Sequence, residues 1–261
     1  MRAAVLMLAL TLITSCFVGS TFAKYTTGIS GNDTARVAKF GVGLAFTAPY
    51  APANAFADSY DAGNVTVQTQ VVDQNVIAPG TSGTAFVLVI SGAPEVDVDV
   101  TMNLGTLTMV TLPKNDEHGT PISYKDYTNA TSDTVFTLDA DYQPVKWTLK
   151  KGAAVVQDDG VPLENVNLQA IDTYLEDHLD GHYDVDGGEF ANIVGTYTLT
   201  WTWDFEYGNT SDPNYAAKLA LINKADTYLG NLAAGTAGIV TPDGYVANES
   251  FTLTVIVEQV D

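Results

Sequence analysis

Basic residues are scarce in this chain: 11 Lys and Arg stand against 31 Asp and Glu, a formal net charge of −20 at pH 7. A surface of that sign repels phosphate backbones and anionic headgroups, so nucleic acid is not an expected partner. Cysteine is nearly absent. Cys16 is the only one, so the chain makes no intramolecular disulfide and no thiolate metal site, and packing must supply its stability. The imidazoles are His118, His178 and His182, and none lies in a His-Glu-x-x-His sequence, which removes the motif basis for zinc peptidase chemistry. Gly-x-Ser-x-Gly elbows and phosphate-cradling glycine patterns are missing as well. No internal repeat and no linker-like run of low complexity divides the chain.

A long apolar run occurs at the start, where Met1-Arg2 precedes Ala3 to Ile13. A spanning helix needs about 20 apolar residues. This run is broken by Thr11, Thr14 and Ser15, so it reads as a secretory signal over 1–23 and not as a stable membrane span. Thr21 and Ala23 offer the small residues that a signal peptidase reads, so the mature chain is expected to begin at Lys24 and to be secreted to the extracellular matrix or cell surface. A competing reading exists, because Ile13-Thr14-Ser15-Cys16 looks like a lipobox in which Cys16 would carry lipid.

The remainder is long enough for one all-β domain, expected over 35–261 and preceded by an extension over 24–34. Period-two alternation marks the strands. From Gly195 to Trp203, Tyr197, Leu199, Trp201 and Trp203 share one face and threonines the other. From Glu95 to Asn103, Val96, Val98, Val100 and Met102 oppose Asp97, Asp99 and Thr101. Further strands are expected at Ala35 to Phe46, Val65 to Val72, Thr84 to Ser91, Thr134 to Leu138, Val145 to Leu149 and Phe251 to Val260. Roughly eight strands predict a mainly β, jelly-roll-like sandwich. Two segments carry helical spacing instead, Leu163 to Leu179 and Tyr215 to Leu232, the second following Asp212-Pro213. They read as helical insertions, the first a lid on the sandwich. Pro49 and Pro52 make Ala48 to Ala57 an exposed loop.

Two patterns bear on metals. His178 and His182 have the spacing of two ligands on a helix, but Gly181 is a poor helix residue and no Glu follows the first His; both are expected at a solvated helix end. Asp184, Asp186 and Glu189, around Gly187-Gly188, offer alternating carboxylates to calcium, though they form only a fragment of a calcium loop. No other cofactor is indicated. Trp147, Trp201 and Trp203 suit sugar stacking, but alternation with Thr assigns the latter two to a buried face.

Four segments together resemble the TasA/camelysin family of matrix proteins: Gly19 to Thr26 running into Asp33 to Phe40; Ile77 to Thr84 followed by Ser91 to Val98; Trp201 to Glu206 answered by Asp226 to Gly230; and the final strand Leu253 to Asp261. The resemblance implies export through a SipW-type signal peptidase, a jelly-roll domain, and homopolymerisation into surface or biofilm fibres. In such fibres the N-terminal segment of one subunit completes the sheet of the next, here residues 24–34, with Lys24, Tyr25, Thr26, Thr27 and Ile29 as the assembly residues. The expectation is therefore a structural subunit and not an enzyme, with a camelysin-like metallopeptidase or a ligand-binding surface domain as the alternative.

Overall fold

A computed structural model describes residues 40–47, 77–128, 134–204 and 210–260 in full and the backbone of 59–62 and 65–68. These residues belong to one unit, Phe40–Asp261; the other, Met1–Lys39, lies outside the described residues. With it lie the signal segment, Cys16, the proposed extension and its five assembly residues. The loop over 48–57 also lies outside them.

The protein is mainly β, built from antiparallel strands in two principal sheets. One has the order β1-β4-β13-β8-β9, from β1 (Val42–Phe46), β4 (Thr81–Gly92), β8 (Val145–Lys151), β9 (Ala154–Val155) and β13 (Gly195–Trp203). The other has the order β12-β5-β14, from β5 (Val98–Thr108), β12 (Gly181–Tyr183) and β14 (Ser250–Gln259). Three small pairs complete the strands: β2 (Ser59–Ala62) with β3 (Val65–Gln68), β6 (Tyr124–Lys125) with β7 (Val135–Phe136), and β10 (Gln157–Asp158) with β11 (Val161–Pro162).

Strand β13 spans the residues expected of it, and its alternation sets the core. Tyr197, Leu199, Trp201 and Trp203 are all buried, while the intervening threonines are not. Burying aromatic and aliphatic side chains of this size contributes about 2–3 kcal/mol each before ordering costs. Val98, Val100, Met102 and Leu104 of β5 meet them from the second sheet. Phe251 of β14 joins the layers, its ring edge-on to Trp147 of β8 at 5.7 Å and to Phe86 of β4 at 6.4 Å. The three tryptophans are therefore core residues, as alternation with threonine implies for Trp201 and Trp203.

Helix α1 (Leu168–His178) is capped by Asn167, whose side chain accepts from the Ala170 amide at 3.0 Å. It starts five residues later than its apolar spacing suggests. Leu163 and Val166 have helical periodicity but are drawn into strand pairing: the Leu149 amide donates to the Leu163 carbonyl, and Trp147 and Val166 exchange backbone bonds. Helix α2 (Phe190–Ile193) is one turn, and α3 (Tyr215–Ala233) follows the expected course after Pro213. Other limits shift modestly: β5 starts later and runs further than its alternating stretch, and the strand expected at Thr134 to Leu138 shrinks to the two residues of β7.

Candidate functional site

Two features of this frame bear on function. The first is the side of the sandwich formed by β1 and β14. On the opposite side, beyond β12, the β5 edge is closed by carboxylates: the Leu104 amide donates to Asp172 Oδ1 at 2.6 Å and the Met102 amide to Asp180 Oδ2 at 3.3 Å. Among the described residues, no side-chain carboxylate accepts an amide of β1 or β14 in this way. Each is the last strand of its sheet among the described residues. In register with Ile90 and Leu88 of β4, Leu44 and Phe46 face the core side yet remain 39% and 44% exposed. Phe46 meets the buried Phe86 edge-on at 6.3 Å, so Phe46, Phe86 and Phe251 form a row from one open strand to the other. The inward residues of β14, Phe251, Leu253, Val255 and Val257, are only half buried. A ten-residue strand at the end of its sheet turns alternate backbone groups outward, and with an apolar flank it is a template for an added strand.

The second feature is a cavity of about 550 Å³ between α3, the segment before β4 and the segment before β14. Its walls include Ile77, Val110, Leu229, Trp203 and Tyr245, and its charged lining residues are two acids, Asp226 and Glu249. Glu249 is buried; its Oε2 accepts from the Val110 amide and its Oε1 from Trp147 Nε1, both at 2.8 Å. Burial pushes its carboxyl up to about 7, opposed by those two bonds and by the charge of Lys146. Asp226, on α3, accepts through Oδ1 from the Tyr142 hydroxyl at 2.7 Å and from Trp203 Nε1 at 3.1 Å. Burial raises it to about 6, against those bonds. Tyr142 in turn is pushed far up, by burial first and by Asp226 second.

Neither a family model, nor a curated protein, nor a solved structure matches the chain. The Trp203 indole at the end of β13 and Asp226 of α3 meet through a hydrogen bond. Glu249 escaped the sequence reading because an acid ahead of an apolar strand looks like an ordinary solvated end.

The residues proposed for calcium occupy the turn after β12. Asp184 Oδ1 accepts from the Asp186 amide at 2.8 Å, and Glu189 precedes α2. Among the described residues, the three-ligand grouping close enough for one cation is a different one, Asp158, Asp159 and His178. The two histidines separate: His178 ends α1, stacked on Tyr174 at 4.5 Å, whereas His182 belongs to β12 and not to the helix end expected of it. Its Nδ1 lies 2.8 Å from Asp99 Oδ1, a hydrogen bond that raises the imidazole above its ordinary value. No described helix is long and apolar enough to cross a membrane.

Proposed function

We propose that the protein is a non-catalytic, secreted structural subunit that assembles into extracellular fibres of identical chains by strand donation, with a jelly-roll-like domain as acceptor. The observation that carries this reading is that β1 and β14 are the last strands of their sheets among the described residues while Leu44 and Phe46 of β1 stay exposed. A strand added beside β14 would satisfy its backbone groups and cover Leu44 and Phe46 at once. Residues 24–34 are the donor under this proposal, small and polar enough to lie extended, and too poor in large side chains to anchor in their own core.

Negative-stain microscopy of the chain beginning at Lys24 tests it. Ordered filaments are expected. Leu44→Lys should leave the monomer folded, since that side chain already reaches water, and should abolish filaments by placing a charge in the acceptor seam. Deleting 24–34 should do the same. Filaments unaffected by both changes would refute strand donation at this side.

A further inference from the structure

The cavity at Asp226 and Glu249 has a chemistry of its own, independent of assembly. We propose that it binds an organic ammonium ion, an amine or quaternary ammonium head carrying an apolar body. Its volume, about 550 Å³, falls in the range of small-ligand sites. Both hydrogen bonds to Asp226 fall on Oδ1, which leaves Oδ2 to a ligand. The indole of Trp203 and the ring of Tyr245 line the same space, and an ammonium head is drawn to aromatic faces as well as to a carboxylate. Ile77, Val110, Leu229 and Ala233 supply apolar wall for the rest of the molecule. No Lys or Arg is among the described residues that line the cavity; the charge of Lys146 reaches Glu249 from outside it, and Asp226 is held by the neutral donors Tyr142 and Trp203. Anions are disfavoured twice over, by the lining and by the charge of the whole chain.

Proton linkage gives a second signature. The groups around the two acids are Tyr142, Lys146 and Asp204; Lys146 is itself lowered by desolvation and does not line the cavity. A cation bound beside Asp226 would favour its charged form and expel a proton near pH 6.

The experiment uses the chain beginning at Lys24, titrated at about pH 7.5 and low salt with choline, butylamine and a short Ala-Lys-Ala peptide, read by calorimetry and tryptophan fluorescence. A Kd below about 1 mM is expected for at least one cation. The neutral isostere 3,3-dimethylbutanol should bind at least about tenfold more weakly, and Asp226→Asn should lose at least about tenfold, because its amide oxygen keeps the bonds from Tyr142 and Trp203 while the charge is gone. At about pH 6 the heat should depend on the ionisation enthalpy of the buffer, reporting the released proton. Tighter binding of the peptide would identify a lysine side chain as the natural head group, and tighter binding of the amines a free small molecule. Absence of saturable binding, equal binding of the neutral isostere, or a folded Asp226→Asn variant of unchanged affinity would overturn the proposal.

Discussion

Replacing Glu249 by Gln isolates the energetic effect of a carboxyl buried in the wall of the cavity. The glutamine is nearly isosteric with the protonated acid, and its oxygen can keep the bond from Trp147 Nε1. Burial raises the native carboxyl from 4.5 to about 7, and at 1.36 kcal/mol per unit this is about 3 kcal/mol. Because the folded value lies above the unfolded one, the native state holds an extra proton between about pH 4.5 and 7. The contribution is thus fully present below the unfolded value and lost as pH rises through the folded one. Wild type should lose about 3 kcal/mol relative to Glu249→Gln across that window, the variant being close to wild type at about pH 4.5 and the more stable of the two at about pH 7.5. The lost acceptor at the Val110 amide trims the advantage by about 1 kcal/mol. Urea unfolding of both proteins at several pH values measures the difference. Asp226 and His182 add pH dependence of the same sign, but they are common to both proteins and cancel in the subtraction. Parallel stability curves would show that the Glu249 carboxyl is solvated in the native state, and the reasoning would fail.

Asn167→Ala removes the side-chain acceptor at the start of α1 and should cost about 1 kcal/mol, read as a lower urea midpoint with an unchanged slope. Gly83→Ala places a methyl group 2.8 Å from Trp201 Nε1, and since that ring is fully buried the strain should cost about 1–3 kcal/mol and shift the near-ultraviolet dichroism of the tryptophans.

Legibility followed the range of the forces. Alternation in β13 was readable because each of Tyr197, Leu199, Trp201 and Trp203 reports the same buried face within nine residues. Helix α3 was readable because Pro213 and a long run without another proline give both a start and a body. The start of α1 was not, since Leu163 and Val166 satisfy helical spacing and strand pairing alike, and the partner that decides, β8, lies elsewhere in the chain. The cavity was the least accessible. Its acids are buried by indoles brought from 102 positions away, in the case of Glu249 and Trp147, and from 23 positions away for Asp226 and Trp203. An acid's solvation is a property of that packing and leaves no local pattern.

The unequal treatment of the two sides of the sandwich bears on how a fibre subunit would stay soluble until it assembles. On the β12 side, Asp172 and Asp180 accept the free amides of β5, so no strand can add there without displacing them. On the other side, β1 and β14 are the last strands of their sheets among the described residues, and Leu44 and Phe46 reach water. An open apolar edge is ordinarily an aggregation hazard, since any extended chain can pair with it. A net charge of −20 works against indiscriminate pairing, because every approaching copy brings the same sign. Only a segment that fills the seam and covers Leu44 and Phe46 gains enough apolar contact to offset that repulsion. Among the residues available to the chain, 24–34 carry just Lys24, Asp33 and no glutamate, so a donor of that composition meets the acidic surface without adding strongly to its charge. Under the proposed assembly, repulsion between whole subunits would oppose indiscriminate pairing while a near-neutral strand would be accepted, so selectivity would come from the difference between the two and not from the affinity of the edge alone.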